Sequence, residues 1–364
     1  MKDYKLLTPG PLTTTATVKQ EMLFDHCTWD DDYKKITLKI RNQLLQLAHV
    51  NENDYTVVLM QGSGTFGVES VITSVIGEDD KLLIVANGAY GKRIKDICEH
   101  ADVDHTVIEF AEDENPDAKI IAKALEDDGA ITHVAMVHSE TTSGILNDIE
   151  SVAKIVKENN KVFIVDAMSS FGGVDIEVGK LGIDFIVSSA NKCIQGVPGF
   201  SFIIANKELL IASKGKARSL SLDLYDQWQT MDEDGKWRFT SPTHVVLAFS
   251  KAIDEMIQEG GIAARSKRYY DNNRLLIEKM KELGIKNYVD LAYQGPIITT
   301  FYYPEGKNFA FSEMYEYIKA RGYAIYPGKL TTAQTFRIGN IGEIYKSDIL
   351  KLHSIIKDFL AEVE

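Results

Sequence analysis

Asp166 and Lys192 are the two side chains in this sequence best placed to do chemistry together. Each sits where a short apolar strand runs out into small polar residues. Val162-Phe163-Ile164-Val165 stops at Asp166-Ala167-Met168-Ser169-Ser170. Phe185-Ile186-Val187 stops at Ser188-Ser189-Ala190-Asn191-Lys192. In an open α/β sheet, ligands bind at the carboxyl ends of the strands. An acid and an amine 26 residues apart should therefore point into one crevice. A lysine that can form a Schiff base, with a carboxylate that can hold a pyridinium nitrogen, is what a protein supplies to pyridoxal phosphate. The carboxylate would keep the ring nitrogen protonated. The lysine would tether the cofactor, then move a proton as general base and acid. Taken singly, each has a plainer reading: an Asp after a buried strand is often a turn or helix cap, and a Lys in a polar loop is usually solvated.

A phosphate site strengthens the pair. Gln61-Gly62-Ser63-Gly64-Thr65-Phe66-Gly67 follows one strand and opens a helix. Glycine tolerates the tight turn, and free backbone N–H groups at a helix N-terminus bind phosphate. The same segment satisfies the glycine pattern of dinucleotide binding, so a nicotinamide dehydrogenase is the rival from another class. That reading needs an acid at the end of the next strand for a ribose hydroxyl. Here Leu82-Leu83-Ile84-Val85 ends in Ala86-Asn87-Gly88. A tight connection without a ligand is the remaining alternative for the loop.

The elements that must position these residues alternate. Strands are expected at Tyr55–Met60, Lys81–Val85, Asp104–Phe110 and Thr132–His138, then at the 162, 185 and 199 segments. Helices are expected between them, at Gly67–Ile76, Gly91–His100, Ala118–Glu126 and Ile149–Lys157. Such alternation argues for a mostly parallel sheet covered on both faces. A long helical pattern follows Pro242, is interrupted at Gly260-Gly261, and resumes to about Met280. The last hundred or so residues mix strands (Ile297–Tyr302, Thr335–Ile338) with amphipathic helices (Ser312–Ala320, Lys346–Leu360), as a smaller α+β domain would. Acidic Met231-Asp232-Glu233-Asp234-Gly235 reads as an exposed turn.

Composition narrows the class. The chain has 364 residues, 45% hydrophobic and 26% charged, with a net charge of −13. That length buries a large core and suggests two domains. The absence of any long basic run argues against nucleic acid. No apolar segment approaches the ~20 residues of a membrane span, and the N-terminus lacks the apolar stretch of a signal peptide. Cys27, Cys98 and Cys193 form neither a disulfide framework nor a zinc spacing, so a cytoplasmic setting is expected. Cys193 adjoins Lys192 without an apparent His partner and reads as packing. The eight histidines show no metal-ligand spacing, and no metal is expected.

The chain resembles the class V group of fold-type I pyridoxal-phosphate aminotransferases. The resemblance is carried by Leu7-Thr8-Pro9-Gly10-Pro11, the Gly62 loop, the 165–173 and 188–192 segments, and Phe336-Arg337-Ile338-Gly339. Within the class it is similar to the transaminases that move the amino group of 2-aminoethylphosphonate to pyruvate. That narrower likeness rests on Asp25-His26-Cys27-Thr28-Trp29-Asp30, on Ser219-Leu220-Ser221-Leu222-Asp223-Leu224-Tyr225 and on the 237–243 segment. The alternative inside the class is an alanine– or serine–glyoxylate transaminase.

The resemblance implies an α/β fold. A large pyridoxal-phosphate-binding domain over residues 15–250 would hold a mostly parallel seven-stranded sheet covered by helices. A smaller α+β domain would span 251–364, with residues 1–14 packing against it. The resemblance also implies roles. Lys192 would carry the cofactor and Asp166 would pair with the pyridine nitrogen. Ser63, Gly64 and Thr65 would hold the phosphate. Tyr90 would stack on the cofactor, where many relatives use Trp, and Thr141 would hydrogen-bond near its ring oxygen. The plainer readings are a core or surface tyrosine for Tyr90 and a turn threonine for Thr141. Thr240 would reach the neighbouring subunit's phosphate, which requires a homodimer with shared sites; as a plainer reading it caps the helix after Pro242. Arg337 has its own physical case, because its fork binds a planar carboxylate or a phosphonate through paired hydrogen bonds. One Arg could thus serve 2-aminoethylphosphonate and pyruvate in turn.

Overall fold

The computed structural model describes residues 4–305, 309–330 and 333–363. Seven strands form the large sheet: β1 (Tyr55–Gln61), β2 (Lys81–Ala86), β3 (His105–Glu109), β4 (Ile131–Val137), β5 (Val162–Asp166), β6 (Phe185–Ser189) and β7 (Phe200–Asn206). Their order across the sheet is β1-β7-β6-β5-β4-β2-β3. β7 runs antiparallel to both neighbours, and the remaining pairings are parallel. Six strands therefore share one direction, and their carboxyl ends line one edge.

Both faces are apolar, as a covered parallel sheet requires. Successive side chains alternate between faces. Val57 and Leu59 of β1, with Leu83 and Val85 of β2, join one buried cluster. Val58, Met60, Leu82 and Ile84 join the other. Helix α1 (Asp31–Leu47) packs on the first face through Tyr33, Ile40 and Leu44. Helices α2 (Gly64–Val75) and α3 (Ala89–Ala101) cover the second. The expected strands and helices of this region appear within a few residues of their positions.

The long helix α7 (Thr243–Glu259) is followed by α8 (Gly261–Glu282), whose Leu276 and Met280 enter a third cluster. It contains a three-stranded antiparallel sheet of β8 (Ile298–Tyr302), β10 (Thr335–Gly339) and β9 (Tyr326–Pro327), in that order. The N-terminal segment packs here. Lys5–Leu6 pairs in parallel with Tyr323–Ala324, and Leu7 is fully buried in the cluster.

One expectation needs correction. The acidic 231–235 segment is exposed at 232–234, but it is not a turn between elements. It is the last turn of helix α6 (Leu224–Asp234), closed by Gly235 at φ +89°. Met231 is fully buried. Asp232 pairs with Arg41 at 2.7 Å and Asp234 with Lys34 at 2.6 Å. Asp232 and Asp234 thus find partners on α1 while remaining exposed to solvent.

Candidate active site

The shared strand direction brings the candidates together. Ser63 follows β1 as the N-cap of α2, which Gly64 and Thr65 open. Tyr90 lies in the first turn of α3, after β2. β5 ends at Asp166, and the loop after β6 carries Lys192. These six residues line one cavity of about 190 Å3, joined by Arg93, Met168, Ser189 and Asn191.

Gly62 adopts φ +121°, a conformation that favours glycine, and turns the chain into α2. Ser63 is the N-cap residue, yet its side chain makes no capping bond. That leaves the helix N-terminus and two hydroxyls facing the cavity, an arrangement suited to an anion. Arg93 lies on the first turns of α3. It donates from Nη1 to Thr65 Oγ1 at 3.2 Å, and its guanidinium sits 4.8 Å from the centre of the Tyr90 ring.

Asp166 is buried and accepts a hydrogen bond from the Met168 amide at 2.9 Å. Burial pushes its carboxyl up to about 6; that amide and the charges of Lys192 and Arg93 pull the other way. Lys192 donates from Nζ to the Pro9 carbonyl at 3.2 Å. Burial holds its amine below the ordinary lysine value. The Pro9-Gly10 backbone lies directly against this side chain. A Cβ on Gly10 would come 2.5 Å from Lys192 Cδ and 2.8 Å from Nζ.

Thr141 lies in the loop after β4. It is buried, and its Oγ1 has no hydrogen-bond partner among the described residues; the same holds for Ser189 Oγ. Arg337, on β10, is 2% exposed. Its Nε donates to the Pro327 carbonyl and its Nη1 to the Thr141 carbonyl, each at 2.9 Å. The small sheet thus reaches the Thr141 loop; neither Thr141 nor Arg337 lines the cavity of about 190 Å3, but Arg337 lies near enough for its charge to bear on Lys192. No carboxylate pairs with Arg337 among the described residues, and burial pulls its guanidinium below the usual arginine value. Cys193 is packing: it is fully buried, its thiol donates to the Ser169 carbonyl, and burial pushes it up to about 12.

Thr240 stands apart. It is exposed, does not line this cavity, and does not cap α7, which has no side-chain cap.

Two residues of the site escaped the sequence reading. Arg93 is one, although its place three residues after Tyr90, on the same helix face, was a usable signal. Glu140 is the other. It is fully buried and accepts from the Tyr90 and Gly91 amides at 3.0 and 2.8 Å, so it caps α3 from another strand. Burial pushes its carboxyl up to about 7, partly offset by those two amides. Nothing local in the sequence marks that long-range role.

The donor set fits pyridoxal phosphate. The cavity offers a helix N-terminus for a phosphate, a buried carboxyl for a ring nitrogen, an amine and the unpartnered Ser189 hydroxyl; the unpartnered Thr141 hydroxyl lies outside its lining.

The comparisons with known proteins agree. The family model described as "Aminotransferase class-V" matches residues 27–341. A 2-aminoethylphosphonate–pyruvate transaminase of Lysinibacillus sphaericus (strain C3-41) is 57% identical over 360 residues, covering 99% of this chain and 98% of the relative. One of the same description from Bacillus mycoides (strain KBAB4) is 56% identical over 350 residues, 96% of each chain. In fold, the crystal structure of pyridoxamine-pyruvate aminotransferase from Mesorhizobium loti superposes with a TM-score of 0.91 at 21% identity, covering 100% of this chain and 93% of that one. The fold is fold-type I, the cofactor is pyridoxal phosphate, and with the family's model running through nearly all of it the chain belongs to the class-V aminotransferases.

Proposed function

We propose that this aminotransferase moves the amino group of 2-aminoethylphosphonate to pyruvate, giving phosphonoacetaldehyde and L-alanine. The observation that carries an anionic substrate is Arg337, a buried guanidinium whose charge bears on Lys192 and which has no carboxylate partner among the described residues. The relatives at 56–57% identity favour the phosphonate.

When bound, pyridoxal phosphate supplies an aldehyde that amines attack and a ring that accepts electrons. The chain's own residues do the rest. Lys192 is the tethering amine and, once free, the group that takes and returns the proton at the substrate carbon. Its lowered pKa enlarges the neutral fraction that can act as a base. Asp166 would pair with the ring nitrogen and keep it protonated, since a cation there would relieve the burial cost of the carboxylate. Ser63, Gly64 and Thr65 hold the phosphate, with Arg93 adding a cation at Thr65. Tyr90 would stack on the cofactor, and the unpartnered Thr141 hydroxyl would hydrogen-bond near its ring oxygen.

Thr240 reaches the phosphate of a second subunit, so the working unit is a homodimer. Exposed Phe66 and Phe239 support this, because they lie beside the phosphate loop and Thr240 respectively. The separate C-terminal cluster supports a second domain, although Ala252, Ile253, Met256 and Ile262 still pack with the large sheet. The unpaired cysteines suit the cytoplasm.

A screen of amino donors crossed with pyruvate and glyoxylate tests the reading. Turnover should be greatest for 2-aminoethylphosphonate with pyruvate. Preference for alanine or serine with glyoxylate overturns it in favour of the glyoxylate transaminases.

A further inference from the structure

A carboxylate and a phosphonate differ in shape as well as charge. The two oxygens of a carboxylate lie in one plane, and an arginine fork satisfies both. A phosphonate has three oxygens around a tetrahedral phosphorus, so its third oxygen stands out of the fork's plane. Left unpaired in a dry site, that oxygen carries a desolvation cost.

The structure places a candidate partner beside the fork. Tyr326 on β9 is the directly opposed residue to Arg337 on β10. Opposed residues of antiparallel strands leave the same face of a sheet. The guanidinium lies 5.7 Å from the centre of the Tyr326 ring. It is also fixed. With Nε held by the Pro327 carbonyl and one Nη1 proton by the Thr141 carbonyl, three of the five arginine N–H donors remain. These lie along the Nη edge, and no other hydrogen bond engages them among the described residues. The Tyr326 hydroxyl likewise makes no hydrogen bond among the described residues, although the ring is half-buried. Burial raises that phenol and the nearby Arg337 lowers it, so the hydroxyl stays protonated and able to donate. Tyr90, the other phenol near Arg337, stands at the cofactor end, lining the cavity with its ring under the Arg93 guanidinium.

We propose that the Tyr326 hydroxyl is the third contact for the substrate's anionic group, the one that separates a phosphonate from a carboxylate. The assignment rests on the aminophosphonate reading above. Arg337 then takes two oxygens of either substrate, and Tyr326 donates to the oxygen that only the phosphonate has.

Tyr326→Phe removes the hydroxyl and keeps the ring. In single-turnover spectroscopy of the cofactor-loaded enzyme, the concentration of 2-aminoethylphosphonate needed for half-maximal rate should rise about tenfold, the scale of one charge-assisted hydrogen bond. The limiting rate should hold. The half-reaction with L-alanine and the dissociation constant for pyridoxal phosphate should stay within about twofold, which also shows that the variant folds. Equal losses with both donors, or no loss with either, overturn the assignment while leaving the function intact. A wild-type enzyme that does not react with 2-aminoethylphosphonate overturns the function and this assignment together.

Discussion

Burial acts on Asp166 and Lys192 in opposite directions, and for one reason: it disfavours charge. The acid is raised and the amine lowered. The folded Asp166 carboxyl titrates at about 6 against an ordinary 3.8, so the folded chain binds that proton more tightly than the unfolded chain. Its contribution to stability is fully present below pH 3.8 and is lost as the pH rises through about 6. At ~1.4 kcal/mol per pKa unit the loss is about 3 kcal/mol. Asp166→Asn without cofactor should therefore be more stable than wild type at pH 8, by up to that amount, with the gap closing near pH 4. Thermal unfolding of the two cofactor-free proteins at both pH values measures this. Adding pyridoxal phosphate at pH 8 should reverse the order, because only the wild-type carboxylate can pair with a protonated ring nitrogen. A variant no more stable at pH 8 would remove the burial argument. Lys192 makes a separate prediction. Borohydride treatment of the loaded enzyme, then peptide mapping, should place the pyridoxyl group on Lys192, and a label on any other lysine sinks its role.

At the scale of elements, the site is a set of strand ends plus what presses on them. Gly10 shows how little room remains. It sits at φ +126°, and its missing side chain leaves space for Lys192. Gly10→Ala should displace the lysine as well as strain the backbone, by about 1 kcal/mol or more for the latter. Cofactor affinity should fall at least tenfold while the unfolding temperature drops only a few degrees. Equal cofactor affinity in the variant would mean that the Pro9-Gly10 segment does not position Lys192. The strand-end residues were legible because buried parallel strands read as unbroken apolar runs, so Asp166 and Lys192 stand out where those runs stop. Ser63–Thr65 was legible because its glycines mark a turn into a helix. Glu140 capping α3 and Arg337 bonding to Thr141 were not, because each contact depends on which elements lie side by side. Helix α1 carried a signal that went unread: Ile36, Ile40 and Leu44 recur at helical spacing. The 231–235 segment misled because its acids find bases on that same helix.

At the scale of the molecule, this chain leaves unusual side chains in water. Leu23 is 76% exposed, Trp29 68% and Leu220 74%, with Phe24, Phe66 and Phe239 about half exposed. Large apolar side chains exposed in number mark an interaction surface. Thr240 adjoins Phe239, and Phe66 lies one residue beyond Thr65, so a copy seated there would bring Thr240 towards a phosphate loop. In an isologous dimer each subunit would lend its Thr240 to the other. Thr240→Glu should then abolish activity by setting a carboxylate against the cofactor's phosphate, and Lys192→Ala should abolish it by removing the amine. Neither homodimer has an intact site. A mixed dimer has one, built from the Lys192 of the first variant and the Thr240 of the second. Co-expression with two affinity tags isolates the mixture and shows that hybrids formed. Random pairing should restore about a quarter of wild-type activity, since about half the dimers are hybrids with one good site of two. Demonstrated hybrids without recovered activity would mean that Thr240 serves its own chain's site or none.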